Sequence, residues 1–219
     1  KNYDAGHRGR GFIDPALLRQ VDVVRGPAST IHGAGALSGA IAMETKTASD
    51  FLKGDESYGF RLRQGWLSNS DGWLQSYTAY GRHNDAVDGI VSLSFKDTRD
   101  VSLSDDVTSK SINGTVRDRQ RLPNSADNIT SGLIKTKVTA LEDQTVTATL
   151  SRYSNDARAF TTPDSTFSSS TRDVDRETLE DTASLKYEYH DPGNMWFNPT
   201  ANFYVSRTEV DEDLVNGSR

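Results

Sequence analysis

The residues best suited to bind a ligand lie at the start of the chain, where one histidine stands among glycines and arginines. His7 follows Tyr3 and precedes Arg8 and Arg10, in a glycine-rich stretch that predicts a loop. An imidazole nitrogen can coordinate a metal ion, and guanidinium groups bind carboxylates through paired hydrogen bonds. The same residues also suit an exposed loop without a ligand, and taken alone they favour that plainer interpretation.

The rest of the chain offers little further chemistry. The 219 residues contain no cysteine, which excludes disulfides, thiolate metal sites and cysteine nucleophiles. His83 falls in a predicted tight turn and His190 at the end of a predicted strand beside another such turn, and His32 falls among small residues where packing is the plainer role. The acidic clusters at 105–106 and 211–213 lack the ligand spacing of an EF-hand and predict solvated loop charge. No nucleophile elbow or supported Ser/His/Asp set is present, so an enzyme is not expected.

The composition is polar for a folded protein of this length. Hydrophobic residues make up 34% of the chain, mean hydropathy is −0.64 and the formal net charge is −6. No apolar run reaches the roughly eighteen residues that a transmembrane helix needs. A transmembrane β-barrel has the same polarity, because half of each strand faces a wet lumen. The mild negative charge and scattered basic residues disfavour nucleic acid as a partner.

The first fifty residues are rich in glycine and predict a short helix and short strands. Asp14 can cap a helix and Pro15 suits its first position, so a short helix is predicted over 16–19. A buried strand is predicted over 21–24 and a second strand over 40–46. This region therefore has the character of a small α+β unit.

Residues 51–219 alternate between apolar and polar side chains with the period of a β-strand. Seven strands are predicted, at 57–67, 73–82, 88–97, 131–141, 144–154, 179–190 and 195–208. An antiparallel sandwich and a transmembrane barrel would both give this alternation.

The connections favour the barrel over the sandwich. The long ones, 98–130 and 155–178, fall at one end of the strands, and the tight ones at 83–85, 142–143 and 191–194 fall at the other. Outer-membrane barrels have long outer loops and short periplasmic turns. Aromatic residues near predicted strand ends suit an interfacial girdle: Trp66, Trp73, Tyr153, Tyr189 and Trp196. Seven strands cannot close such a barrel, so the chain is expected to be a piece of a longer protein.

The stretch 21–42 carries the most specific motif. It reads V-D-V-V-R-G-P-A-S-T-I-H-G-A-G-A-L-S-G-A-I-A and resembles the end of the plug domain of TonB-dependent receptors, V-E-V-[VL]-R-G-P-x-S-x-x-Y-G-x-G-A-L-G-G-x-[IV]. It departs from that pattern at Asp22, His32 and Ser38. A dinucleotide-binding loop is rejected because its third glycine is misplaced and a proline intervenes. The matching motif residues are Arg25, Gly26, Pro27, Gly33, Gly35 and Gly39.

A second resemblance points to the enterobacterial haem receptors within that superfamily. Residues 5–18 are similar to their T-G-H-x-x-G-x-F-[LI]-D-P-A-L-[IL] segment, with a departure at Arg10 where the family has glycine. Residues 88–91, 153–158 and 175–196 resemble barrel segments of the same receptors. The likeness covers essentially the whole chain.

The resemblance implies a fold, a ligand and a site. The fold is mainly β, with the C-terminal half of a plug domain at 1–50 and the N-terminal portion of a transmembrane antiparallel β-barrel at 51–219. His7 would be an axial ligand of haem iron, with Tyr3, Arg8 and Arg10 beside it and the arginines available for the propionates. With the resemblance, this interpretation replaces that of a plain loop histidine.

The family scheme also implies partners and a location. Haem, free or from a host haemoprotein, would be the transported ligand, with no catalytic cofactor and no metal other than the haem iron. TonB, acting through a plug segment expected outside these residues, and outer-membrane lipid would be the partners, and the second iron ligand would lie in a later barrel loop. The alternatives are a receptor for a ferric siderophore or cobalamin, which needs no histidine at position 7, and a porin or adhesin, which needs no plug motif.

Overall fold

The computed structural model describes two main β units, with a 3-10 turn at Ala48–Asp50 between them in the sequence. The described residues are 12–26, 39–103, 109–110, 116–117, 121–122, 124–141, 143–160, 173–193 and 196–215. No helix in this part of the chain is long and apolar enough to cross a membrane.

The first unit is a two-stranded antiparallel ribbon made of β1, Leu18–Arg25, and β2, Gly39–Thr45. A 3-10 turn at Pro15–Leu17 precedes it, and the Asp14 carboxylate accepts a hydrogen bond from the Ala16 amide at 2.8 Å. The predicted cap is therefore confirmed, but the predicted helix is only this single turn because β1 begins at Leu18. The prediction of a buried strand is wrong: Val23 is 61% exposed, since β1 pairs only with β2 in the described residues.

The second unit is a seven-stranded antiparallel sheet. Its strands are β3 Tyr58–Leu67, β4 Gly72–His83, β5 Val87–Asp97, β8 Asn128–Leu141, β9 Gln144–Phe160, β10 Asp173–Tyr189 and β11 Thr200–Leu214. Their order across the sheet is β11-β10-β9-β8-β5-β4-β3. The connection between β5 and β8 contains two short paired strands, β6 Ser109–Lys110 and β7 Val116–Arg117. Strands that follow one another are neighbours, so the long connections share one end of the sheet, as predicted.

Burial in this sheet is the reverse of that in a soluble sheet. On β5, the apolar Leu93 is 46% exposed while its neighbour Ser92 is 2% exposed. The buried hydroxyl of Ser92 shares a hydrogen bond of 2.8 Å with Thr78 on β4. The exposed apolar side chain thus points outward and the buried hydroxyls point inward, as the wall of a lipid-embedded barrel requires, although the apolar Ile90 and Leu133 are also buried on the inner face. The predicted fold class, a partial antiparallel barrel with part of a plug, is confirmed.

The outer halves of β9 and β10 are longer than predicted. Their ladder continues to the pair Phe160 and Asp173, beyond the predicted ends at residues 154 and 179. The alternation stops above residue 154, where polar side chains stand on both faces, so the sequence there looks like a loop. Backbone pairing needs no apolar face, and it extends the hairpin past the apolar belt.

Candidate functional site

All four predicted haem-binding residues and three of the six plug-motif residues lie outside the described part of the chain. These are His7, Tyr3, Arg8 and Arg10, together with Pro27, Gly33 and Gly35 of the plug motif. Arg25, Gly26 and Gly39 are described, and they stand at the adjoining ends of β1 and β2. The site can therefore be built from the segment that directly follows the predicted ligand loop, and from the wall that this segment touches.

Two glycines of the plug motif are explained by backbone geometry. Gly26, just after β1, has a φ of +102°, which side-chain-bearing residues rarely adopt. Gly39 has a φ of +156° and lies opposite Arg25 in the ribbon. A Cβ atom at Gly39 would stand 2.6 Å from the Val24 carbonyl oxygen, closer than real contacts allow. Both positions need glycine for the chain to leave β1 and enter β2.

Phe12 is the first described residue after the predicted ligand loop, and it contacts the inner wall. Its backbone amide donates a hydrogen bond of 2.8 Å to Glu180 Oε2 on β10. Its ring stacks on Tyr153 of β9, with ring centroids 6.0 Å apart and planes inclined by 21°. The start of the described plug segment is therefore attached to β9 and β10.

Tyr153 was predicted as a membrane-interface residue, and the structure shows this to be wrong. The outward side chains of β9 include Leu150, which is 55% exposed. Tyr153 has the opposite parity and points inward, onto Phe12. Trp66 and Trp73 do lie on the outward face at the end where β3 turns into β4, with ring centroids 4.8 Å apart.

Polar contacts continue the plug–wall attachment below Phe12. The Lys135 ammonium on β8 donates to the carbonyl and hydroxyl oxygens of Thr45 at 3.2 and 3.3 Å. The Lys46 ammonium donates to the Ala16 carbonyl oxygen. Burial lowers the pKa of Lys46, and the positive charge of Arg61 on β3 adds to that effect. Lys135 thus ties the end of β2 to β8, and Lys46 ties the same end to the 3-10 turn before β1.

Two cavities border Phe12 on the inner side of the wall. One, of about 250 Å³, extends toward the long connections and is lined by Asn155, Thr178 and Val210 among others. The other, of about 400 Å³, lies between the plug segment and the hydroxyl-rich inner face of β9 and β10, including Ser151. Arg176 beside the upper cavity is paired with Glu212 on β11 at 2.7 Å.

The long connection between β5 and β8 folds back on the outer ends of the strands. Asp100 accepts hydrogen bonds from the amides of Ser125 and Ala126 at 3.0 and 3.2 Å. Arg121 reaches the Asp71 carboxylate at 2.7 Å, at the turn between β3 and β4. This hydrogen bond lowers the pKa of the Asp71 carboxyl, and the charge of Arg121 adds to the effect. The described parts of the connection are therefore tied to the rim of the wall.

The plug segment matches a known family. Residues 1–40 match the model of the TonB-dependent receptor plug domain. Across 94% of its length, the chain is 32% identical to a hemin receptor of Yersinia enterocolitica, of which it covers 28%. Residues 1–40 therefore carry the sequence features of a TonB-dependent receptor plug domain, and the chain as a whole is similar to a hemin receptor. It spans less than a third of the length of this hemin receptor.

Other known proteins and solved structures are also similar to this chain. A heme/hemopexin utilization protein C of Haemophilus influenzae is 41% identical over 66 residues, which are 30% of this chain and 9% of that protein. The FrpB iron transporter from Neisseria meningitidis superposes with a TM-score of 0.77 at 26% identity, covering 93% of this chain and 31% of FrpB. The fold is also that of the Serratia marcescens receptor HasR, solved with its hemophore HasA and heme, with a TM-score of 0.75, 21% identity and coverage of 96% and 29%.

The Yersinia protein is named as a receptor and FrpB as a transporter. Among the described residues, no group of three or more His, Cys, Asp or Glu side chains could hold a metal ion.

The contacts of Glu180 and Tyr153 with Phe12 were not predicted from the sequence. The position of Tyr153 could be inferred from the sequence, because it lies three residues from the outward-facing Leu150 and so on the opposite face of the strand. No local sequence pattern identifies Glu180 as a contact of Phe12.

Proposed function

We propose that the receptor of which this chain forms part binds haem at the cell surface and imports it across the bacterial outer membrane. The observation that carries this proposal is the similarity, over 94% of the chain, to a protein named as a hemin receptor. The inverted burial of the sheet supports a place in the outer membrane, with lipid against the outward side chains such as Leu93. The role is uptake, with haem as the transported ligand and no catalytic step.

The two regions of the sequence have different roles in this proposal. Residues 1–50 would be the C-terminal half of the plug, which closes the pore, and residues 51–219 would be the first part of the barrel. TonB would act on the plug through a segment outside these residues. Haem would arrive free or on a host haemoprotein, at the end of the sheet where the long connections lie.

The proposed iron ligand is His7. A neutral imidazole is a common axial ligand of haem iron. Arg8 and Arg10 would bind the propionates, and Tyr3 would lie beside the haem. Phe12 supports this site, because its contacts with Glu180 and Tyr153 hold the chain only five residues after His7 to the inner wall.

The test is a haem titration of the purified full-length receptor, followed in the Soret band. We expect a shifted Soret band in wild type that is lost or altered in His7→Ala, because the iron loses an axial ligand. His83→Ala is the matched control: His83 is exposed, next to the tight turn at Asn84–Ala86, at the end opposite the long connections. Equal binding by wild type and His7→Ala would remove His7 from the site.

A second candidate is a receptor for iron in another form, such as a ferric siderophore. The structural likeness to the FrpB iron transporter favours keeping it. In that case wild type would give no Soret shift with haem, and iron uptake by cells carrying the receptor would require a different iron source.

A further inference from the structure

The contact between the plug and the wall at Phe12 is made by two residues that face each other across β9 and β10. Glu180 and Tyr153 are direct partners in the antiparallel register. Directly opposed residues have Cβ atoms about 5 Å apart and project from the same face of the sheet. They therefore act on Phe12 from one place on the inner wall.

Each of the two residues contacts a different part of Phe12. The Glu180 carboxylate accepts the backbone amide at 2.8 Å, and a hydrogen bond to a charged acceptor is stronger than a neutral one. The Tyr153 ring stacks on the phenyl ring at 6.0 Å. One contact fixes the backbone and the other fixes the side chain, so together they define the position and the orientation of this residue.

This position matters because of what stands on either side of it. His7 precedes Phe12 by only five residues in the sequence. Phe12 also borders both the cavity of about 250 Å³ toward the long connections and the cavity of about 400 Å³ below. A displacement of Phe12 would therefore move the residue from which the chain continues toward His7. It would also change the lining of both cavities.

We infer that Glu180 and Tyr153 form a clamp on Phe12 that positions the His7 segment for haem binding. Neither residue touches the haem iron in this proposal, and both act through Phe12 as positioning residues. The inference rests on the proposed function. It adds two barrel residues, from β9 and β10, to a site whose named residues His7, Tyr3, Arg8 and Arg10 all lie in the first fifty residues.

The experiment uses the purified full-length receptor with two readouts. Haem affinity is measured by Soret titration, and hydrogen–deuterium exchange is measured on the peptide that contains Phe12. Glu180→Ala removes the acceptor, whereas Glu180→Gln keeps an oxygen that can accept the amide. Tyr153→Ala removes the ring, whereas Tyr153→Phe keeps it.

Glu177→Ala is the matched control. Glu177 lies on the same strand as Glu180, and its odd position turns it to the opposite face. It removes a carboxylate from β10 without touching Phe12. Heat-modifiable migration on gels selects the variants that assemble a barrel, so that a folding failure is not scored as a loss of binding.

We expect Glu180→Ala and Tyr153→Ala each to weaken haem binding about tenfold and to speed exchange at Phe12. Glu180→Gln and Tyr153→Phe should restore most of both properties, and Glu177→Ala should change neither. Unchanged exchange in both alanine variants would overturn the clamp itself. Faster exchange with unchanged affinity would overturn its positioning role. Absence of haem binding by wild type would instead refute the proposed function, and the exchange data would still decide whether the clamp exists.

Discussion

The plug ribbon and the barrel wall obey different rules, although both are antiparallel β structure. In the wall, each position is constrained by the polarity of its side chain: the apolar Leu93 points outward and is exposed, and the polar Ser92 points inward and is buried. In the ribbon, the path of the backbone decides, since Gly26 and Gly39 adopt angles that other residues avoid. The wall should therefore tolerate changes within a class, and the ribbon should reject even a single added methyl group at Gly39.

The largest effect is expected from a charge on the outward face of the wall. Leu93 lies near the middle of β5, so Leu93→Lys would place an ammonium group against the bilayer interior. The free energy of unfolding should fall by about 2–4 kcal/mol. The measurement is urea unfolding of the full-length receptor in lipid vesicles.

Two matched variants sharpen this test of the wall. Leu93→Ile keeps the class and should change the free energy of unfolding by less than about 1.5 kcal/mol. Ser151→Lys places the same ammonium group beside the inner cavity of about 400 Å³, where water can solvate it, and should be tolerated. Equal loss of stability in Leu93→Lys and Ser151→Lys would contradict the assignment of the two faces.

A smaller effect is expected from the plug glycines. Gly39→Ala would bring a Cβ atom to 2.6 Å from the Val24 carbonyl oxygen, whereas Gly26→Ala meets nothing within 4 Å. Backbone strain alone costs about 1–3 kcal/mol, and only Gly39→Ala adds a steric clash to it. Amide exchange of the peptide 39–45 in the full-length receptor should therefore accelerate more in Gly39→Ala than in Gly26→Ala. The reverse order would show that the close approach of the ribbon strands is not the reason for glycine at position 39.

The sequence predicted the wall better than the ribbon, for a physical reason. The lipid requires apolar side chains on one face of a strand and the lumen requires polar ones on the other. Each strand that crosses the bilayer therefore alternates between apolar and polar residues. The prediction failed where that constraint ends, at the outer part of β9 and β10, because Asn155 and Asp156 lie on opposite faces of β9 and are both polar. It also failed for strand 21–24, whose apolar residues would suggest a core that the described residues do not provide.

The candidate site was less accessible to prediction. His7 was found through its glycine-rich surroundings and the family resemblance, and it stays a prediction. Glu180 accepts an amide 168 residues away in sequence, a pairing that no local pattern encodes. The alternation of side chains along β9 predicts an inward-facing Tyr153, because Leu150 faces outward. Its place near the end of the strand suggested a membrane interface instead.

The smallest expected effect concerns the buried hydroxyls of the inner wall. Thr78 and Ser92 are 5% and 2% exposed and share one hydrogen bond of 2.8 Å. Thr78→Val or Ser92→Ala alone leaves the other hydroxyl buried without this partner, which should cost about 1 kcal/mol. The double variant has no unpaired hydroxyl left, so it should cost less than the sum of the two single variants. A double-mutant cycle of urea unfolding measures this coupling. Additive effects would mean that the hydroxyls are satisfied by water, and that the inner face of the wall is wet even where its side chains are covered.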